Sequence, residues 1–398
     1  MGHLVRSVRL IEQLARRFEV TFVSGNQVPD IVRLPPDVRL VQLPAVSMGD
    51  EGNLVAATDL EATLVERAGI LRAVAGRVSP DVVVTELFPF GRHKLAGEIL
   101  GLLAETAESL HVCSLRDILV SKRRNQEAFD RRAVALLNEH YDALLIHTDA
   151  RMLELAPLPL GDTITTPRYV TGFVGQDLLA CSEVTNEILV SAGGGRVGGP
   201  LYRAALEAHR RLYPELGIPM RVVGGPFLSE AELEELSCIA AAGSAAAEVV
   251  RAVPCLAAHI ASARFTVSQC GYNTALELLG TSAPALVVPF NRGGENEQMI
   301  RARHLEALGR VMLLDEHALS VDSMEDALRA LISFRPRPVA VDLRGAEQSA
   351  CVIEDLCGRI PPKSEVRTTL AHDRASPPVH AIPEDNPSAL RGALKVTR

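Results

Sequence analysis

Residues 265–279 read FTVSQCGYNTALELL, and this stretch decides the fold. An apolar segment, 265–267, runs into a turn at Gly271, behind which Asn273 and Thr274 are residue types that start helices. A helix that begins here points its unpaired backbone N–H groups and the positive end of its dipole back toward the strand end. The stretch therefore predicts a strand, a tight turn and a helix whose N-terminus binds an anion such as a diphosphate.

The side chains around this turn extend the prediction from an anion to a nucleotide. The hydroxyl of Thr274 can donate to a phosphate oxygen, and Glu277 can accept both hydroxyls of a ribose through its two carboxylate oxygens. Ser268, Gly271 and Asn273 complete the predicted nucleotide- and phosphate-binding set. The alternative is an ordinary capped helix with an exposed glutamate.

A second glycine-rich loop follows the first apolar segment of the C-terminal half. Residues 191–196 read SAGGGR, in which three glycines allow a close backbone approach to an anion and Arg196 can offset phosphate charge. We therefore add Gly194 and Arg196 to the predicted phosphate-binding residues. The loop does not match the G-x-G-x-x-G pattern with a following acid, so a nicotinamide cofactor is not favoured.

A third polar segment follows the apolar run 285–288. Residues 289–294 form a glycine-rich loop that ends at Gly294 and leads toward Glu297 and Gln298. Carboxylate and amide groups at this position can bind the hydroxyls of a sugar. The alternative is that acidic residues simply favour a helix N-terminus.

The predicted acceptor side lies in the N-terminal half. His3 stands at the start of a helix and is expected to face the cleft into which the glycine-containing loops open. A neutral imidazole there can take a proton from an attacking hydroxyl. The alternative is a frayed, inert histidine near a chain terminus. Glu86 and Arg92 follow one apolar strand, and 116–117 follow another. We expect these residues to reach the cleft, either to bind the acceptor or as structural ion pairs.

Basic residues cluster at 122–124 and again at Arg131 and Arg132. We interpret them as a solvated helix face, and leave open a weak peripheral contact with an anionic lipid surface or an acceptor phosphate. No apolar run reaches the ~18–20 residues that a membrane span needs.

Short β-branched runs alternate with stretches of helical spacing along the chain. The runs lie at 20–23, 81–85, 143–146, 188–190, 220–223, 247–250, 265–267 and 285–288, and the helical stretches of the first half at 4–17, 57–78 and 123–139. Such alternation indicates parallel strands joined by crossover helices. The sequence therefore predicts an α/β fold of two doubly wound, Rossmann-like domains that face a cleft, with ligands at the carboxyl ends of the strands.

The predicted organisation is an N-terminal acceptor-side domain at 1–176, a hinge at 171–176 and a C-terminal nucleotide-sugar domain at 186–357. A last helix is expected at 343–356, and the proline-rich tail 358–398 is predicted to be disordered. The chain opens at Gly2 and His3, where a first strand should already have fed a glycine loop. We therefore expect the first strand of the N-terminal domain to be missing through a truncated start, or its place to be taken by another segment.

Composition limits the classes of function. With 41 Lys and Arg against 49 Asp and Glu, the 398-residue chain has a formal charge of −8, which opposes nucleic-acid binding. The seven cysteines are scattered without a C-x-x-C pair, as expected of buried thiols in a reducing cytoplasm. Zinc-protease, P-loop and nucleophile-elbow motifs are absent from the sequence. We expect a cytoplasmic protein with no metal, no resident cofactor and no nucleic-acid partner.

Together these pieces resemble the GT-B glycosyltransferases, and within them family 28, the group that includes the peptidoglycan N-acetylglucosaminyltransferases. The resemblance implies that Glu277 binds the ribose of a uridine nucleotide, that Thr274 and nearby amides hold its phosphates, and that Glu297 and Gln298 bind the donor sugar. The G-H-x-x-R start resembles the N-terminal loop of the same group and implies His3 as the catalytic base. Residues 85–92 resemble a group of uncharacterised predicted glycosyltransferases.

The resemblance implies an inverting, metal-independent hexosyl transfer from a nucleoside diphosphate sugar, UDP-linked, to an acceptor hydroxyl. The G-H-x-x-R-S form at residues 2–7 is also close to that of UDP-sugar hydrolases on the same fold, in which the histidine activates water. A sugar-nucleotide 2-epimerase shares the fold too, but no additional acid/base constellation supports it. A nucleotide-sugar-binding protein without catalysis is the remaining alternative.

Overall fold

The computed structural model describes residues 2–29, 32–49, 53–119, 125–150, 158–175, 184–242, 246–292 and 296–359. Gly294, the basic residues 122–124, the last hinge residue Gln176 and the predicted disordered tail from 360 onward lie outside these ranges. Residues 1–357 form one compact unit and 358–398 a second. The predicted division of the first unit at 176–186 is therefore untested.

Helices and strands alternate through the described residues. The strands are β1 Thr21–Ser24, β2 Arg39–Gln42, β3 Val46–Met48, β4 Leu54–Ala56, β5 Val82–Glu86, β6 Leu110–Arg116, β7 Ala143–His147, β8 Arg168–Val170, β9 Thr185–Ser191, β10 Met220–Val223, β11 Ala247–Val250, β12 Ala263–Ser268, β13 Ala285–Val287 and β14 Met312–Leu313. The helices are α1 Gly2–Leu14, α2 Leu60–Val78, α3 Ala96–Glu105, α4 Gln126–His140, α5 Gly199–Leu216, α6 Glu230–Ala241, α7 Leu256–Ser262, α8 Tyr272–Leu279, α9 Glu297–Ala307, α10 Val321–Ser333 and α11 Gly345–Cys357. None of these helices is long and apolar enough to cross a membrane.

The C-terminal half is built on a six-stranded parallel sheet in the order β11-β10-β9-β12-β13-β14. Counted from β9, this is the 3-2-1-4-5-6 order of a doubly wound nucleotide-binding fold. One face packs on α5, α6 and α10 through apolar side chains such as Leu206, Leu236 and Leu328. The other packs on α7, α8 and α9 through side chains such as Ile260 and Leu305. Both faces are covered, which explains why the strands read as continuous apolar runs.

The N-terminal half contains a four-stranded parallel sheet in the order β5-β6-β7-β8. β1 and β2 form a separate parallel pair, and β3 and β4 a short antiparallel hairpin. Within the described part of the chain, no strand joins the β1–β2 pair to the four-stranded sheet. The two parallel sheets confirm the predicted α/β class.

α1 and α11 lie together on the N-terminal sheet. Leu10 and Leu14 of α1 share a buried cluster with Val112 and Leu145 of the sheet and Ile353 of α11. The last described helix therefore packs on the first half of the molecule.

Two chain segments run side by side between the halves. The linker 172–175 and the segment 342–345 are joined by an antiparallel bridge between Val174 and Arg344. The N–H of Phe173 donates to the carbonyl of Asp342 at 2.8 Å, and the N–H of Gly345 donates to the carbonyl of Phe173 at 2.9 Å. A side chain at Gly345 would overlap backbone atoms of the linker, which explains the glycine. The predicted hinge is thus paired with the chain that enters α11.

The predicted elements agree with the structure where the apolar pattern is long. The runs at 220–223 and 247–250 match β10 and β11 residue for residue, and 143–146 matches β7 to within one residue. β2, β3, β4, β8 and β14 were not predicted. They are short, and β2 is mostly exposed, so they lack the apolar run that marks a buried strand.

A buried arginine fastens the separate β1–β2 pair to the helices of the N-terminal half. Arg67 of α2 donates to both carboxylate oxygens of Glu98 on α3, at 2.8 and 2.6 Å. Its remaining nitrogen donates to the carbonyls of Gly25 and Pro44, in the loops after β1 and β2. Because the guanidinium is fully satisfied, it can hold four chain segments without an unpaired charge.

We predict that Arg67→Leu destabilises the fold by about 3–5 kcal/mol, because it leaves the Glu98 carboxylate buried without its counter-ion. The measurement is chemical unfolding followed by circular dichroism. Arg72→Leu is the matched control on the same helix, since Arg72 is exposed and its pair with Glu105 is worth less than about 1 kcal/mol. Equal losses of stability in both variants would contradict the role of Arg67 in holding these chain segments together.

Candidate active site

Two glycine-containing loops of the C-terminal half follow neighbouring strands. β9 and β12 are parallel partners, with Ser191 opposite Ser268 at their carboxyl ends. The strand order reverses between these two strands, and the crevice outside their ends is where doubly wound folds bind ligands. The loops that carry Gly194 and Gly271 therefore open at the same position of the sheet edge.

Packing accounts for part of the glycine-rich loop after β9. Gly195 has a φ of +87°, and a Cβ there would overlap the carbonyl oxygen of Gly224. The carbonyl of Gly194 accepts a hydrogen bond from the N–H of Phe227 at 2.9 Å. Arg196 is exposed, and its guanidinium carbon lies 5.7 Å from the ring centre of Phe227. The loop is thus held by its neighbour, and the phosphate role of Gly194 and Arg196 stays a prediction.

α8 begins at the predicted turn with no side chain capping it. Gly271 precedes the helix with extended φ and ψ of −63° and 161°. The first bond of the helix runs from the N–H of Ala275 to the carbonyl of Gly271, so the helix supplies no acceptor for the amides before it. Nothing lies within 4 Å of a Cβ built on Gly271. The buried hydroxyl of Ser268 has no hydrogen-bond partner among the described residues, while Thr274 is buried and Asn273 half-buried.

Glu277 faces the N-terminal half. Its side chain is 14% exposed, and its Oε1 lies 3.8 Å from an Nη2 of Arg9 on α1. Burial raises the pKa of the Glu277 carboxyl to about 7, although the charge of Arg9 opposes the shift. The alternative of an exposed glutamate on an ordinary helix is therefore wrong for this side chain.

The two predicted sugar-binding residues of α9 already have partners. Oε1 of Gln298 accepts the backbone N–H of Cys270 at 3.1 Å and that of Phe290 at 3.2 Å, which joins the loops after β12 and β13. Glu297 forms an ion pair with Arg116, which ends β6 in the N-terminal half. Gln298 therefore has only its amide nitrogen to offer a ligand, and Glu297 must share its carboxylate with Arg116. Their roles toward a sugar stay predictions.

His3 is paired with Glu86. Nδ1 of His3 lies 2.7 Å from Oε1 of the carboxylate, which also binds Arg6 and, at 3.0 Å, Arg92. A carboxylate can only accept, so Nδ1 carries the proton and Nε2 keeps its lone pair. Nε2 has no partner among the described residues, and the His3 side chain is 37% exposed. His3 is therefore oriented, and its free nitrogen can accept a proton.

The electrostatics of this pair keep the imidazole neutral and the carboxylate charged. Burial lowers the pKa of His3, and the charges of Arg116 and Arg6 add to the effect, against the Glu86 carboxylate, which raises it. Burial opposes the charge of Glu86, but the hydrogen bond from His3 and the charges of Arg6 and Arg92 outweigh burial and hold the pKa of this carboxyl well below its usual range. A neutral, oriented imidazole is the form that acts as a general base.

One face of α1 runs along the first turns of α8. His3, Arg6 and Arg9 are spaced three residues apart, so they share a face. The guanidinium carbon of Arg6 lies 5.3 Å from the ring centre of Tyr272, the first residue of α8, and Arg9 approaches Glu277 further along the same helix. The face therefore follows α8 from its N-terminus to the predicted ribose-binding carboxylate.

A buried ion pair joins the halves beside this face. Nε and Nη2 of Arg301 on α9 donate to the two carboxylate oxygens of Asp117 at 2.8 and 2.9 Å, and Nη1 donates to the carbonyl of Cys270 at 2.9 Å. The hydroxyl of Tyr272 accepts the N–H of Val174 at 3.1 Å. The loop before α8 is thus tied to the N-terminal half at several points.

The sequence interpretation missed three site features. It left Glu86 open between acceptor binding and a structural ion pair, and it did not foresee that this carboxylate holds His3, 83 residues away in the chain. It passed over Arg9 and Tyr272, although the three-residue spacing from His3 to Arg9 was a readable signal. Within the described residues, no three His, Cys, Asp or Glu side chains are grouped to hold a metal ion.

Two facing α/β halves, with a 3-2-1-4-5-6 sheet and a site at its strand reversal, define a protein of the GT-B fold. Residues 229–355 match the model of the glycosyltransferase family 28 C-terminal domain. They include Glu277, Glu297 and Gln298 but none of the α1 residues. The family assignment therefore concerns the C-terminal half.

Relatives of known activity match short parts of the chain. The UDP-N-acetylglucosamine–N-acetylmuramyl-(pentapeptide) pyrophosphoryl-undecaprenol N-acetylglucosamine transferase of Anaeromyxobacter sp. (strain Fw109-5) is 28% identical over 109 residues, 26% of this chain and 29% of that relative. The chain thus matches less than a third of the relative's length.

Solved structures match most of the chain at low identity. CalG4, the calicheamicin glycosyltransferase, has a TM-score of 0.54 at 17% identity, over 91% of this chain and 96% of its own. A putative UDP-N-acetylglucosamine 2-epimerase from Listeria monocytogenes has a TM-score of 0.52 at 13% identity, over 87% of both chains. Transferase and epimerase structures match nearly equally, so the fold alone does not select the reaction.

Glu277→Gln is expected to change how stability depends on pH. A carboxyl whose pKa rises from 4.5 to about 7 on folding costs the folded state about 3 kcal/mol as pH rises through that window, since the unfolded chain ionises first. Wild type should therefore lose stability relative to the variant between pH 4.5 and 7, as measured by chemical unfolding across that range. The exposed Glu234→Gln control should keep the wild-type dependence, and a Glu277→Gln profile parallel to wild type would contradict the burial of this carboxyl.

Proposed function

We propose that the protein transfers a sugar from a uridine diphosphate sugar to an acceptor hydroxyl, with inversion at the anomeric carbon and without a metal ion. The observation that carries the proposal is the apposition of Arg6 on α1 to the uncapped first turn of α8, with the oriented His3 one turn before Arg6 on the same helix. A base and an anion-binding helix N-terminus thus belong to one crevice, as a transfer from a diphosphate requires.

The donor's nucleotide is assigned to the C-terminal half. The strand reversal between β9 and β12, the family 28 domain and the name of the Anaeromyxobacter relative support a UDP-linked donor. In this assignment the α8 amides and Thr274 bind the diphosphate, and Glu277 accepts the ribose hydroxyls. The amide nitrogen of Gln298 and the carboxylate of Glu297 face the sugar.

The base is assigned to His3. Nε2 takes the proton of the acceptor hydroxyl while the acceptor oxygen bonds to the anomeric carbon, and the bond from that carbon to the β-phosphate oxygen breaks to release UDP. Glu86 keeps the imidazole in the required tautomer and stabilises the imidazolium that forms. The charge that develops on the departing diphosphate is met by the first turn of α8 and by Arg6.

The order of groups along α1 agrees with this assignment. Arg9 lies against the proposed ribose carboxylate Glu277, Arg6 against the start of α8, and His3 at the other end. A nucleotide sugar laid along α8, with its ribose at Glu277, therefore brings its sugar toward His3. The base stands at the end where the bond is broken.

The assignment of Glu277 to the ribose predicts that Glu277→Ala raises the donor KM by about 10- to 100-fold, because it removes two hydrogen bonds from the ribose hydroxyls to a charged carboxylate. The assay is UDP release at varied UDP-sugar concentration, with Glu234→Ala as an exposed control on another helix. An unchanged donor KM in Glu277→Ala would remove the nucleotide assignment.

The assignment of His3 as the base predicts that His3→Ala lowers kcat by about 10²- to 10⁴-fold, the usual contribution of a general base, with little change in donor KM. In wild type, kcat should fall at acid pH, once the medium drops below a His3 pKa that lies under 6.5. His140→Ala, at the surface end of α4, is the control. A His3→Ala enzyme with wild-type kcat would overturn the assignment.

The same assay separates the other reactions. The half-buried His3 keeps some access to solvent and can also deprotonate water, so UDP-sugar hydrolysis is the second candidate. Sugar released from donor alone, at a rate that no acceptor alcohol increases, would favour the hydrolase. Nucleotide binding without turnover would favour a binding protein, and unchanged kinetics after addition of EDTA are expected for metal-independent transfer.

A further inference from the structure

Arg9 has an unusual environment for a buried arginine. Its side chain is 13% exposed, and its Nη1 is fully buried with no hydrogen-bond partner among the described residues. The contact with Glu277, at 3.8 Å, is longer than a hydrogen bond. A guanidinium carries five N–H donors, so most of the capacity of Arg9 is unused.

Three other buried arginines of the molecule use more of their donors. Arg67 makes four hydrogen bonds, and Arg301 makes three, two of them to a carboxylate. Arg310 donates to carbonyl oxygens at the end of α8. A buried donor without an acceptor is costly, so the unused Nη1 of Arg9 requires an explanation such as a bound polar group.

In the described part of the chain, the Glu277 carboxylate beside Arg9 also lacks a hydrogen bond. No hydrogen bond to the Glu277 carboxylate is found among the described residues, and burial raises the pKa of this carboxyl to about 7. An unused donor and an unused acceptor therefore stand side by side, one from each half of the protein. A group that accepts from the arginine and donates to the glutamate would satisfy both, and a hydroxyl does each.

We propose that Arg9 is a further donor-binding residue, which together with Glu277 binds the ribose 2′- and 3′-hydroxyls and so selects ribonucleotides over 2′-deoxynucleotides. The inference rests on the proposed function and deepens it. Each hydroxyl donates a hydrogen bond to Glu277 and accepts one from an N–H of Arg9, so both halves of the protein hold the nucleotide. Loss of one hydroxyl leaves a buried charged group unpaired, which is the condition for strong discrimination.

The test measures binding of UDP and 2′-deoxy-UDP to the full chain by calorimetry. Wild type is expected to bind UDP at least about tenfold more tightly than 2′-deoxy-UDP. Arg9→Met should weaken UDP binding by about tenfold or more and bring the two affinities together. Arg16→Met, an exposed arginine just beyond α1, should retain the wild-type affinities and ratio.

A double-mutant cycle separates recognition from mere support of the fold. Arg9→Met and Glu277→Gln should be strongly non-additive for UDP, because each removes one side of the same contact. Arg9→Lys, which keeps the charge but not the fork of donors, should fold with a wild-type Tm and still lose the preference for UDP.

The failures are distinguishable. If wild type binds UDP and Arg9→Lys has the same UDP affinity and the same preference over 2′-deoxy-UDP, the role of Arg9 is overturned and the proposed function stands. Wild type that binds neither nucleotide would overturn both. Equal affinity of wild type for UDP and 2′-deoxy-UDP would overturn the selection of ribose alone.

Discussion

The interaction on which the rest depends is the buried pair of Asp117 and Arg301. Charges with 5% and 3% exposure lose most of their hydration, and the loss is offset only when geometry and remaining hydrogen bonds are good. Here both carboxylate oxygens are used, and the third arginine contact is the carbonyl of Cys270, immediately before the α8 turn. The pair therefore fixes the end of β6 relative to α9 and, through Cys270, the turn at Gly271. Breaking it would leave a buried charge without its counter-ion and remove one of the contacts that hold the α8 turn against the N-terminal half.

This fixed contact helps to hold α1 in a defined position between the two halves. Toward the C-terminus of α1, Leu10 and Leu14 are buried against the N-terminal sheet and α11. Nearer its N-terminus, Arg6 and Arg9 contact α8 of the C-terminal half. The helix thus couples hydrophobic packing in one half to polar contacts with the other. The proposed base and the proposed nucleotide site belong to different halves. Such a coupling is therefore required, because the distance between the base and the nucleotide must be reproducible.

Local pattern sufficed for much of this organisation, because strands β7, β10 and β11 and the α8 turn are marked by short-range apolar runs and a helix-start signal. What the sequence could not supply are pairings between distant positions. Glu86 was recognised as a residue at a strand end, but its partner His3 is 83 residues away. Gly195 was attributed to anion approach, whereas contact with Gly224 also requires it. The amide oxygen of Gln298 is occupied by two backbone N–H groups, a use that depends on how three loops meet and on no local signal.

Exposure is graded along the proposed donor path, and the gradient bears on the choice of reaction. Arg6 and Glu277 are buried, at 3% and 14%, whereas His3 is 37% exposed. A nucleotide held along this path would be enclosed at its ribose, while the reacting end would open to solvent. Such an arrangement suits a constant donor and an acceptor that arrives from outside, and it also leaves the base within reach of water. In the proposed transfer, the acceptor itself must therefore displace water from His3, and a poor acceptor should divert the donor toward hydrolysis.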